Sequence, residues 1–144
     1  SGDNDPTDGK EHTFDPLYPL GHEYHGYIDF VGRRNVVGHR IQLSATPTEK
    51  VSLGVDWHQL RLESSRDAHY NAAGAVRRAA PAAGGSKDLG EEIDLTGKYQ
   101  VNSYFGVQAG YSLFMTGSFF ARTRTATAGQ SDADFAYLQT TFRF

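Results

Sequence analysis

Side-chain character alternates with a period of two through five stretches of this chain, and the last stretch sets the problem most sharply. In residues 133–144, Ala136, Leu138, Thr140, Phe142 and Phe144 share one face, while Tyr137, Gln139, Thr141 and Arg143 share the other. Such a strand meets two different solvents. A soluble sheet would put the apolar face in a core. A transmembrane barrel would put it in lipid and turn the polar face to a water-filled lumen.

The other four stretches repeat the pattern. Residues 36–45 set Val37, His39, Ile41, Leu43 and Ala45 against Gly38, Arg40, Gln42 and Ser44. After a tight turn at Thr46-Pro47-Thr48-Glu49-Lys50, the return strand sets Val51, Leu53, Val55 and Trp57 against Ser52, Gly54, Asp56 and His58. The alternation collapses beyond Leu62, and residues 63–90 read as one long structureless connection. It resumes with Ile93, Leu95, Gly97 and Tyr99 opposing Glu92, Asp94, Thr96 and Lys98. A short turn at Gln100-Val101-Asn102-Ser103 leads to Phe105, Val107, Ala109, Tyr111 and Leu113, opposed by Gly106, Gln108, Gly110 and Ser112. A second long connection, 114–132, precedes the terminal strand. At the other end, residues 1–21 read as loop, and Tyr24, Tyr27, Ile28 and Val31 fall at helical spacing. A short helix is therefore expected within 22–34, stopped by Gly32 and Asn35.

Connections that alternate short and long suit an outer-membrane barrel, with tight periplasmic turns and extended external loops. Strands of about ten residues are long enough to cross a bilayer at a tilt. With the short turns on one side, the five strands run down, up, down, up, down, and the C-terminus is periplasmic. The rings sort accordingly: Tyr99, Phe105, Phe142 and Phe144 fall beside the short turns as one interfacial girdle, and Trp57 and Tyr111 near the opposite strand ends. The fold expected is an all-β, antiparallel, up-and-down segment of a transmembrane β-barrel. It forms a single domain over 1–144, with 1–35 as external loop. Five strands leave unpaired edges, so the remaining strands of the barrel are expected outside this chain.

Composition changes this picture little. The chain has 144 residues and a mass of 15.8 kDa, with no run of apolar residues long enough for a transmembrane helix. A mean hydropathy of -0.53 is as expected for a barrel as for a soluble domain, because only alternate strand residues meet lipid. A formal charge of -3 supplies no basic footprint for nucleic acid. The absence of cysteine removes disulfides and thiolate metal sites from consideration. The start, Ser1-Gly2-Asp3-Asn4-Asp5-Pro6, has neither an initiator Met nor signal-peptide features, and reads as a mature piece or a fragment of something longer.

Candidate chemistry lies mainly on the polar strand faces. Arg40, Gln42, Ser44, Asp56, His58, Glu92, Asp94, Lys98, Gln108, Gln139, Thr141 and Arg143 are the expected pore-lining residues, whereas Leu138, Phe142 and Phe144 face lipid. Phe144 is also the expected recognition end for the barrel-assembly machinery. Arg40, Lys98 and Arg143 would attract anions or else pair with Asp56, Glu92 or Asp94. His22-Glu23-Tyr24-His25 lacks the spacing of a zinc-protease helix and reads as a surface pair. Asp3, Asp5 and Asp8 are the weak candidates for a metal, at most a surface calcium, since they fail the EF-hand pattern and suit a solvated acidic turn. Ser64, Ser65, Asp67 and His69 have the residue types of a triad, but no nucleophile elbow positions them. Neither an enzyme nor a cofactor is expected.

Several runs of residues resemble one known family. Ser1-Gly2-Asp3-Asn4-Asp5-Pro6-Thr7-Asp8-Gly9-Lys10, Phe14-Asp15-Pro16-Leu17-Tyr18-Pro19, Arg66-Asp67-Ala68-His69-Tyr70-Asn71-Ala72-Ala73-Gly74, Glu91-Glu92-Ile93-Asp94-Leu95 and the terminal Tyr137-Leu138-Gln139-Thr140-Thr141-Phe142-Arg143-Phe144 are similar to the C-terminal part of the alginate-export family of outer-membrane porins. The resemblance implies a barrel of about eighteen strands in the outer membrane of a Gram-negative bacterium, of which this chain supplies the last third. It also implies passive export of an anionic, alginate-like polysaccharide, or diffusion of small anionic solutes, without cofactor or energy coupling. Expected partners are outer-membrane lipid, the missing N-terminal strands and the barrel-assembly machinery. The alternatives are a soluble β-domain that binds ligand, and a non-transporting surface adhesion module.

Overall fold

The structure is a computed structural model that describes residues 1–5, 7–18, 24–81, 83–124 and 131–144. Its elements run β1 (Val36–Thr48), β2 (Val51–Leu62), β3 (His69–Tyr70), β4 (Val76–Arg78), β5 (Asp88–Gln100), β6 (Phe105–Thr116), α1 (Ser118–Arg122) and β7 (Ala133–Phe142). The five long strands form one antiparallel sheet in the order β1-β2-β5-β6-β7, and β3 and β4 form a separate small hairpin. The sheet does not close on itself. β1 and β7 are its two free edges.

The expected strands are all present, but they are longer than their alternation indicated. β1 runs through Pro47 to Thr48, so the first turn contracts to Glu49 and Lys50. The register between β1 and β2 shifts between Ala45 and Thr48, giving β1 one extra residue beside Pro47, whose nitrogen has no hydrogen to offer a ladder. A second shift, between Leu60 and Arg61, inserts Leu89 into β5. Gly90 takes φ 128° there, and a Cβ would collide with the Met115 carbonyl.

Three expectations fail. Residues 24–34 are not helical, because Gly26 at φ 97° and Asp29 at φ 56° are left-handed and interrupt any right-handed turn; His22 and Glu23 lie outside the described residues. The 63–90 connection is not structureless, since it carries the β3–β4 hairpin. The 114–132 connection is partly regular: β6 continues to Thr116 and α1 follows.

The hydrophobic core lies at the long-connection end of the sheet. Phe30, Val31, Leu60, Leu62, Leu89, Phe114, Phe119 and Phe120 form one buried cluster, with Phe30 stacked on Phe114 at 4.4 Å between ring centroids. Asn35 anchors the loops around it. Fully buried at φ 49°, it donates from Nδ2 to the carbonyls of Ser64 and Ala68, and its Oδ1 accepts the Ser64 N–H at 2.7 Å. No helix among the described residues is long and apolar enough to cross a membrane, which says nothing of a crossing by strands.

Candidate functional site

Below the core, the sheet is inside out. Glu92, Asp94 and His58 on its inner face are 0%, 1% and 2% exposed, whereas Leu43 and Leu138 on its outer face are 66% and 73% exposed. Cross-strand pairing aligns the outer side chains in rows: Ile41-Trp57-Ile93-Leu113, then Leu43-Val55-Leu95-Tyr111-Ala136, Ala45-Leu53-Gly97-Ala109-Leu138, Val51-Tyr99-Val107-Thr140, and Phe105 with Phe142. The last pair stacks at 4.7 Å. From Phe105 to Leu113 on β6, strands rising about 3.3 Å per residue at a tilt of about 45° make this band about 19 Å tall.

Above the band the two faces exchange character. The next outer row is His39-Gln59-Glu91-Met115, and Arg61 follows, while the inner positions become Leu60, Leu62, Leu89 and Phe114. Trp57 and Tyr111 therefore do not stand at strand ends as expected. Tyr111 pairs with Leu95 and Ala136 midway along β6, and Trp57 occupies the top row of the band, its indole N–H donating to Glu91 at 3.0 Å. The strands simply continue past the level where the apolar band stops.

At mid-height the inner face is covered by residues 24–31. The Ile28 N–H donates to Glu92 Oε1 at 2.9 Å, and the Tyr27 N–H approaches Asp94 Oδ1 at 3.5 Å. His58 Nε2 lies 3.2 Å from Asp94 Oδ2. Gly26 fits against Glu92 only because it lacks a Cβ, which would meet the carboxyl group at 2.2 Å. The Tyr27 ring stacks on Tyr137 of β7 at 5.3 Å, and Gln108 donates to the Tyr137 hydroxyl at 2.6 Å. A buried carboxyl group without any donor would be strongly unfavourable, and the Ile28 N–H supplies one to Glu92 Oε1, while Glu92 Oε2 has no hydrogen-bond partner. The expected pairing of Arg40 is found: its Nε and a terminal nitrogen meet Asp56 Oδ1 at 2.8 and 2.7 Å, and Gln42 approaches the other oxygen.

Towards the short turns the inner face is open. Lys50, Ser52, Lys98, Gln108, Thr141 and Arg143 line a cavity of about 370 Å³, with Glu49 as the acidic residue at its edge. Ser44 and Gln139 lie exposed on the same face. The cations of the inner face thus divide into Arg40, paired with an acid at mid-height, and Lys98 and Arg143, gathered with Lys50 at one end. Phe144 follows β7 and is fully exposed.

The remaining candidates are explained locally. Asp3 accepts the Asp5 N–H, Asp5 accepts both the N–H and the hydroxyl of Thr7, and Asp8 accepts the Lys10 N–H. Each carboxylate holds its own turn. Among the described residues no three His, Asp or Glu side chains converge on a metal site. Ser64, Asp67 and His69 do not form a relay. Ser64 donates to the Asp3 carbonyl, Asp67 accepts from Asp3 N, Thr13 and Tyr70, and His69 Nε2 donates to the Phe30 carbonyl at 3.1 Å. Burial among aromatic rings, with Arg77 and Arg78 nearby, lowers the His69 pKa to about 4, the Phe30 carbonyl only partly opposing it.

Alternation in the sequence sorts these polar residues onto one face of the sheet but gives no sign of the segment laid over Glu92 and Asp94. The helical spacing of Tyr24, Tyr27, Ile28 and Val31 does not report a helix, and Phe119 and Phe120 lie in the 114–132 stretch that reads as connection. The signal available was Gly26, a glycine between aromatics where a helix would not favour one.

The chain is thus an all-β antiparallel sheet that, below its core, buries acids on one face and exposes leucines on the other. The family model for alginate export matches residues 1–134, and the chain belongs to that family. This is a transport family of the Gram-negative outer membrane, not an enzyme family. No curated protein and no solved structure matches the chain.

Proposed function

We propose that this chain forms one arc of an outer-membrane β-barrel porin, through which an alginate-like anionic polysaccharide or small anionic solutes pass by diffusion. The observation that carries the reading is the height match between the two faces. The apolar band and the polar inner residues occupy the same rows of the sheet, as a wall between lipid and water requires. The band, about 19 Å tall, is close to the roughly 25 Å apolar belt of such barrels. Its lower rim is Tyr99, Phe105 and Phe142, and its upper rim includes Trp57, the residue types that favour a membrane interface. Above it, polar outer residues and an apolar inner core suit an external cap in water on both sides.

In this reading the free edges of β1 and β7 pair with the other strands of the same barrel, since unpaired backbone is not tolerated in lipid. Lys50, Lys98 and Arg143 then form a cationic vestibule at the periplasmic mouth, where they raise the local concentration of anions. A soluble ligand-binding domain would have to leave the whole apolar band in water.

The test is a planar bilayer holding the full-length protein under a salt gradient. Anion-selective conductance is expected, and Lys98→Glu or Arg143→Glu should move the reversal potential towards cation selectivity. An inserted, folded protein that does not conduct, or whose selectivity ignores both substitutions, would refute the proposal.

A further inference from the structure

We infer that residues 24–31 form a fixed constriction of the lumen, seated on the inner wall at mid-height, that limits the width of the solute able to pass. The inference rests on the porin reading above and adds to it the element that determines size selection. Three observations converge on it.

The first is position. Asp94 is the middle residue of β5, Tyr137 pairs with Gly110 midway along β6, and both contact the segment. The segment therefore reaches half-way down the wall rather than resting on its rim. On β2 and β5 the inner face is buried at and above this level, at His58, Glu92 and Asp94, and it is open below, where the cationic cavity begins.

The second is how it is held. A loop resting on a sheet by apolar contact alone could swing away. This one is tied by the Ile28 N–H to Glu92, a carboxyl group with no exposure, while its C-terminal side buries Phe30 and Val31 in the core. The Tyr27–Tyr137 stack, with the Tyr137 hydroxyl held by Gln108, fixes it sideways to β7. A hydrogen bond shielded from water is electrostatically stronger than one at the surface, so the segment behaves as part of the wall.

The third is what it presents. Tyr24 is exposed, and the Arg33 guanidinium lies 4.5 Å over its ring. With the guanidinium over one face, the ring has its other face for a pyranose bearing a carboxylate, the ring C–H groups on that aromatic face and the acid at the guanidinium edge. The vestibule concentrates anions by charge, and the constriction selects among them by width.

Two measurements test this in the full-length protein. Tyr27→Ala removes the ring stacked on Tyr137 while leaving every strand residue unchanged, and single-channel conductance should rise on the order of twofold because the narrowest part of a pore dominates its resistance. The size cut-off for neutral sugars in liposome swelling should rise with it. Independently, Tyr24→Cys in a background otherwise free of reactive thiols gives an exposed thiol. Its modification by a bulky methanethiosulfonate should lower conductance in a channel that was normal beforehand. Unchanged conductance and cut-off in Tyr27→Ala, or no effect of modification in a demonstrably labelled Tyr24→Cys variant, would overturn the constriction while leaving the porin reading intact. A wild-type protein that fails to conduct would overturn the porin reading itself, and the constriction with it.

Discussion

Arginine at two neighbouring positions on opposite faces of β1 and β2 distinguishes a wall between lipid and water from a sheet with two equivalent surfaces. Leu53 pairs with Ala45 and Gly97 in the central row of the apolar band, four residues from Trp57 at its top, and Ala109 in the same row stands four residues from Phe105 at its bottom. At about 3.3 Å per residue and a tilt of about 45°, that is about 9 Å from each rim, which the porin reading places close to the bilayer midplane. Leu53→Arg should therefore destabilise the full-length barrel by about 2–4 kcal/mol. Ser44, paired with Gly54 one residue away in height, faces inward and is exposed. Ser44→Arg should cost less than about 1 kcal/mol, because its guanidinium stays in water. The assay is urea-dependent folding into lipid vesicles, followed by the heat-modifiable shift on electrophoresis. Equal costs for the two substitutions, or a larger one for Ser44→Arg, would refute the assignment of faces.

Two further expectations concern the cap of loops packed around the hydrophobic core. Asn35→Ala leaves the buried Ser64 N–H and two carbonyls without their partner and places alanine at positive φ, so a loss of about 3–5 kcal/mol in cap stability is expected. Asn35→Gly should recover part of it by relieving the backbone, as limited proteolysis of the 60–90 region would report; identical behaviour of the two variants would contradict this. His69 is held neutral, with its pKa lowered to about 4 while the unfolded value stays near 6.5. The unfolded chain therefore binds more protons between these values. The contribution of His69 is fully present above about pH 6.5 and is lost as pH falls towards 4, at about 1.4 kcal/mol per unit. Protection of the β3–β4 hairpin, by hydrogen exchange corrected for intrinsic rates, should fall over that range in the wild type and much less in His69→Gln.

The sheet was legible in the sequence wherever the two faces of a strand differ in character. From Val37 to Ala45 and from Tyr99 down to Glu92, every second residue reports the same side. The pattern fails above Trp57 because the meaning of the faces exchanges there. Trp57 is apolar and outward, while Leu60 and Leu62 are apolar and inward, so a period-two reading loses phase although the strand continues. The bulge at Leu89 and Gly90 shifts phase again on β5. The segment over the inner face was hidden for another reason. Its conformation is set by partners distant in sequence, Glu92, Asp94 and Tyr137, and its aromatic spacing imitates a helix that Gly26 and Asp29 interrupt. Of the inner-face cations, Lys98 and Arg143 followed from alternation, whereas Lys50 joined them only when the first turn proved to be two residues long.

The bond between Ile28 and Glu92 spans 64 residues of chain. Its two partners are brought together only after β1, β2 and β5 have paired, and Tyr27 has its platform only when β7 has joined the edge of β6. Closing so long a loop before the strands are in register would carry an entropic penalty with little to offset it. On the porin reading an order of assembly follows: the sheet pairs strand by strand with its inner face uncovered, and residues 24–31 fold back last, onto strands synthesised after them.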